Sequence, residues 1–172
     1  MGKCAFSLML LLIFFIPRIK AQYFENYAVH ANIVYHFTKY VNWPEHKKSG
    51  DFVIGIVGNS PLYDELKRFI AGKRVGKQKI VLRQFATSSK FYNCHILFIS
   101  DDASKSLKKI VTATNRDAIL LVSEGDGFSG KGSCINFAIV NERLKLEINK
   151  TNIEERNLDI ASELLSLGVI VE

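Results

Sequence analysis

Histidine, cysteine and long apolar runs are all scarce in this chain. Its 172 residues include four histidines and three cysteines. His30 and His36 lie too far apart to share a helix face as i, i+4 metal ligands do, so no metal site is readable. No G-x-S-x-G elbow occurs, and neither Cys94 nor Cys134 lies in a context that lowers a thiol pKa. Nucleophilic catalysis therefore lacks a readable nucleophile and base, and the sequence predicts no enzyme. The apolar run at 4–16 is shorter than the roughly 20 residues that span a bilayer as a helix, which argues against a permanent anchor.

That run follows Lys3 and precedes Ala21, the layout of a secretory signal peptide over residues 1–21. Its removal takes Lys3, Arg18 and Lys20 and no acid, so 23 basic residues become 20 against 17 acids and the charge falls from +6 to +3. The remaining basic residues are interspersed with acids, as in "DELKRF" and "NERLKLEINK", a solvated surface rather than a phosphate-tracking stripe. Nucleic-acid binding loses its support.

Glycine is concentrated in "GDGFSGKGSCINF" at 125–137, where Gly125, Gly130 and Lys131 have P-loop spacing. A P-loop needs a hydroxyl directly after the lysine for magnesium and a helix N-terminus behind the phosphates. Here Gly132 follows Lys131, and the period-two run "CINFAIV" comes next. The glycines are expected to supply sharp turns at positive φ instead.

What is present is a regular alternation of elements. In residues 25–45 Val29, Ile33, Phe37 and Val41 recur every fourth position, predicting a helix that ends at Pro44. "DFVIGIVG", "KIVLRQF", "CHILFIS" and "AILLVS" read as strands. Between them "LYDELKRFIAG", with Leu62, Leu66, Phe69 and Ile70 on one face, and "SKSLKKIVTA", with Leu107, Ile110 and Val111 inward, read as helices. Two strand-helix-strand units predict an α/β fold with a mostly parallel sheet.

"CINFAIV" and "RLKLEIN", joined by Asn141 and Glu142, predict a C-terminal antiparallel hairpin with Glu147 on its wetted face. A polar link, "KTNIEERN", then leads to a last helix over "LDIASELLSLG", with Ile160, Ala161, Leu164 and Leu165 inward. No linker or repeat divides residues 22–172, which are read as one domain. Asn149, Lys150 and Thr151 form a glycosylation sequon that matters only in a eukaryotic source.

Three residues suit a binding surface: Trp43 at a Trp-Pro corner, Ile153 isolated in the polar link, and Glu147. The alternatives are a core anchor for Trp43, a helix-start staple for Ile153 and simple solvation for Glu147. Asn59, Ser100 and Ser123, at the carboxyl ends of the strands, mark where a sheet of this kind would hold a small ligand. His95, inside an apolar strand, reads as a buried, hydrogen-bonded imidazole. Export exposes Cys94 and Cys134 to an oxidising compartment, where they form either a disulfide or two buried free thiols.

Several of these stretches together resemble the YfiR family of small exported bacterial proteins. "FTKYVNWP", "FVIGIVG", "CHILFIS", "GKGSCINF", "RLKLEIN" and "LLSLGVIV" occur in that family's order between about Tyr27 and Val171. The resemblance implies a cofactor-free periplasmic α/β regulator without enzymatic activity. Such a protein binds the periplasmic domain of an inner-membrane diguanylate cyclase and represses it, lowering cyclic di-GMP and biofilm formation. A periplasmic small-ligand receptor feeding a sensor kinase is the alternative, and a homodimer stays open. The resemblance also implies that Cys94 matches a disulfide-forming position, for which Cys134 is the one partner here, and that Glu147 and Ile153 fall on the partner-contacting surface.

Overall fold

The structure, a computed structural model, describes residues 26–172; the expected signal peptide lies outside the described residues. The chain begins with helix α1 (Tyr27–Tyr40) and the short strand β1 (Val41–Asn42). There follow β2 (Phe52–Val57), α2 (Leu62–Phe69), β3 (Arg74–Val75), β4 (Gln78–Phe85) and β5 (Ile96–Ile99). A 3-10 turn leads into α3 (Leu107–Ala113), then β6 (Leu120–Glu124), β7 (Ile135–Val140) and β8 (Arg143–Asn149). The chain closes with α4 (Lys150–Glu154), β9 (Asp159–Ile160), α5 (Ser162–Leu165) and β10 (Val169–Val171).

Eight strands form one sheet in the order β10-β8-β7-β6-β5-β2-β4-β3. β4, β2, β5, β6 and β7 run parallel to one another, β3 joins β4 antiparallel, and β7 and β8 form the antiparallel hairpin. The predicted α/β architecture with flanking helices is what the molecule adopts. β2, β5 and β6 are buried along their whole length, which explains the apolar sequences of β2, β5 and the first three residues of β6. The hairpin turns at Asn141 and Glu142, both at positive φ (51° and 60°), the two-residue turn that matches strand twist.

Phe37 of α1, Phe98 of β5 and Phe137 of β7 meet in the core, Phe137 lying 6.2 Å from Phe37 and 6.0 Å from Phe98. The buried stripe of α1 is His30, Ala31, Val34, Phe37 and Thr38, whereas Val29 is exposed. The expected stripe through Val29 is thus displaced by one position, because His30 sets its ring edge-on to Phe137 at 4.9 Å.

The C-terminal segment departs furthest from expectation. "LDIASELLSLG" is not one helix. Its first residues pair with β1, Val41 opposite Ile160, leaving only the four-residue α5. The β-branched residues after Gly168 then add β10 parallel to β8, with Val169 opposite Glu147 and Ile170 opposite Ile148. A Cβ on Gly168 would lie 2.7 Å from the Leu146 carbonyl oxygen, so only glycine lets the chain approach there. The polar link is also structured: it forms α4, capped by Asn149, whose Oδ1 accepts from the Asn152 N–H at 2.9 Å. Asn149 is buried in this role and displays no sequon.

Candidate functional site

The glycine-rich stretch connects β6 to the parallel strand β7 without a full helix. Gly125, Gly127 and Gly132 have φ of 124°, 69° and 100°, conformations that glycine alone adopts cheaply. Lys131 reaches back over the Phe128 ring at 5.0 Å, and the chain runs straight into β7. The loop is a turn, and no helix N-terminus stands behind it for phosphates.

A buried polar network pins this loop to the hairpin. Ser123 donates to Asn136 Oδ1 at 2.8 Å, and the Ser123 and Ser133 hydroxyls lie 2.8 Å apart. Asn136 Nδ2 donates to the Gly125 carbonyl at 2.8 Å and to Glu147 Oε2 at 2.9 Å, and Ser129 donates to the same Glu147 oxygen at 2.9 Å. Glu147 is therefore not a freely solvated outward residue. Its carboxylate is half-buried and committed to holding the loop.

Ile153 is fully buried beneath α4, and Trp43 is buried with its ring edge-on to Phe52 at 5.0 Å. The Trp43 indole N–H donates to the His95 carbonyl at 3.3 Å. Both side chains are spent on packing, so neither offers a partner its surface in this conformation. Ile153 stands alone among polar residues because the short helix α4 turns only this side chain fully inward.

The apolar surface lies nearby instead. Leu167, Val169 and Ile170 are 63%, 52% and 53% exposed, and β10 forms an open edge of the sheet. Beside it runs a groove of about 380 Å³ lined by Ile33, His36 and Tyr40 of α1, Leu144 and Leu146 of β8, and Leu164 and Leu167. An edge strand of this composition, with neither proline nor lysine to blunt it, is a pairing surface. The sequence signal for it was "LGVIV", a β-branched run after a glycine.

The carboxyl ends of the parallel strands are filled by their own side chains. Asp102 accepts from the Ser100 hydroxyl and from the Asn59 N–H at 3.0 Å, which in that order hold its carboxyl below the usual carboxylate range. A Cβ on Gly58 would sit 2.1 Å from the Ser100 oxygen. A cavity of about 530 Å³ opens elsewhere, beside Trp43 and Phe52, with Lys39, Lys48, Lys77 and Asp159 around it.

His95 is locked as a neutral imidazole. Nδ1 accepts from the Val53 N–H at 3.0 Å, Nε2 donates to the Lys47 carbonyl at 2.8 Å, and the ring stacks on Phe52 at 4.3 Å. Burial lowers its pKa. Of the two alternatives for Cys94 and Cys134, the structure has the buried free thiols and not the disulfide. The reason is topological. Cys94 lies just before β5 and Cys134 just before β7, with β6 between, and two strand spacings amount to about 10 Å, beyond the reach of a disulfide. Burial pushes the Cys94 thiol up to about 12 and the Cys134 thiol up to about 11. Neither forms a thiolate near neutral pH. Among the described residues no His, Cys, Asp and Glu cluster is arranged to hold a metal.

No curated protein matches the chain. The profile of one family does, over residues 27–169, from the first turn of α1 into β10. These are the elements that build the sheet, the pinned loop and the open edge, and on that match the chain belongs to the YfiR/HmsC-like family.

Proposed function

We propose that the protein is an exported periplasmic regulator that binds the periplasmic domain of an inner-membrane signalling enzyme, in first place a diguanylate cyclase, and represses it. The observation that carries this reading is the apolar face formed by Leu167, Val169 and Ile170 beside the α1–β8 groove. A protein partner needs a desolvated centre of this kind, and an open edge strand adds backbone donors and acceptors that a partner strand can pair. Family membership supports regulation over catalysis. The polar network through Glu147 and Ser129 supports the same face from below, by fixing β8 against the loop.

Repression by contact predicts that Leu167→Asp with Ile170→Asp raises cellular cyclic di-GMP to the level of a strain without the protein, at unchanged abundance. Unchanged cyclic di-GMP in that variant would defeat the reading. The receptor alternative draws on the cavity beside Trp43, where three lysines face one aspartate and favour a small organic anion. Saturable quenching of Trp43 fluorescence by such an anion, lost in Lys77→Glu, would favour it.

A further inference from the structure

The most exposed apolar side chain among the described residues is none of those on the β10 face: Phe91, in the connection from β4 to β5, is 85% exposed. It is held out rather than loose. Tyr92 beside it is buried, its ring 5.5 Å from Phe85, and Cys94 is buried in turn, so this extended segment alternates outward and inward. Anchoring Tyr92 fixes the direction of Phe91.

Lys90, the residue directly before Phe91, belongs to a basic face. Lys90 and, across a shallow depression of about 720 Å³, Lys105, Lys108 and Lys109 line the same face with Ser88, Ser89 and Thr112, and no acid lines it. The spacing explains the cluster. Leu107 and Ile110 point into the core, which turns Lys108, Lys109 and Thr112 to the opposite face of α3, with Lys105 just before it. None of these four ammonium groups has an ion-pair partner among the described residues. Four unpaired lysines on one face, with an exposed aromatic ring next to Lys90 in the chain, match a bilayer surface, with anionic headgroups for the charges and the headgroup boundary for the ring.

We propose that this face is a peripheral membrane-binding surface that takes anionic phospholipid, with Phe91 entering the interface. Each lysine contributes about five-fold in affinity at such a surface, so the attraction is weak alone. It suits a protein already held at a membrane by a partner. In that sense it deepens the proposed regulation, yet it uses different residues from the β10 face.

The test is co-sedimentation of the purified mature protein, at millimolar lipid, with vesicles of phosphatidylcholine alone and of phosphatidylcholine and phosphatidylglycerol in equal parts. Binding is expected to the second kind only and to be released by salt. Lys108→Ala with Lys109→Ala should weaken it roughly 25-fold, from two losses of about five-fold each. Phe91→Ser should weaken it about tenfold or more, from the lost apolar burial. All three side chains are exposed, and an unchanged melting temperature confirms folding. Absence of binding to phosphatidylglycerol vesicles overturns the proposal, as does equal binding to both kinds or binding lost on Leu167→Asp but kept in the lysine variant. No partner protein enters this experiment, so its failure leaves the proposed regulation standing.

Discussion

Ser129 donates to Glu147 Oε2 over 2.9 Å, joining the glycine loop to β8 at the position paired with Val169 of the open edge strand. Asn136 donates to the same oxygen, so removing the carboxylate strands a side-chain amide and a hydroxyl in a poorly hydrated place. Glu147→Ala is expected to cost about 1 to 3 kcal/mol of stability. In urea unfolding, Ser129→Ala and Glu147→Ala should be non-additive by at least about 0.5 kcal/mol. Strict additivity would mean that the contact contributes nothing.

The cysteines give a second expectation. With both thiols buried, protonated and separated by β6, reductant should leave the melting temperature unchanged. Ellman's reagent should label neither in the folded protein and both after unfolding. A reductant-induced fall in melting temperature would require a disulfide and contradict the sheet order.

His95 makes stability depend on pH. Its native pKa lies below the ordinary value of 6.5, so on acidification the unfolded chain takes up the proton first. The stabilisation is therefore complete above about pH 6.5 and is lost progressively as pH falls from there toward the native pKa. Denaturant unfolding at pH 7.5 and 5.5 should show this loss in the natural protein and less of it in His95→Gln. The Asp102 carboxyl, also lowered, acts in a separate window: its stabilisation is present above about pH 4 and fades below. An equal loss in both proteins between pH 7.5 and 5.5 would remove His95 from the account.

Much of the fold was legible because its signals are local. The buried strands β2 and β5 are apolar throughout and β6 opens on an apolar run, and Asn141 with Glu142 marks the hairpin turn. The missed features depend on distant partners. β1 and β9 are two residues each and exist only because they pair. Val29 loses its place in the core to His30, which Phe137 selects from over a hundred residues away. Ile153 and Trp43 stood out in the sequence as unusual, but being unusual did not reveal burial, which here put both inside. The exposed site came from "GVIV", whose residue types suit a core strand and an open edge equally well.

The Asn149 cap gives a smaller check. Asn149→Ala should destabilise the protein by about 1 kcal/mol through the lost bond to the Asn152 N–H, while Asn149→Asp, which keeps an acceptor, should cost less. Equal losses would assign the effect to the Asn149 Nδ2 bond to the Ser129 carbonyl instead.

On the proposed function, the β10 face makes the contact with the partner. The most direct measurement places a photo-crosslinking amino acid at Ile170 and, separately, at the exposed Lys67 of α2, in cells that make the protein in its own envelope. Ile170 is expected to capture the periplasmic domain of an inner-membrane cyclase or kinase, and Lys67 is not. Capture from Lys67 alone, or from neither position in well-expressed protein, would contradict that contact.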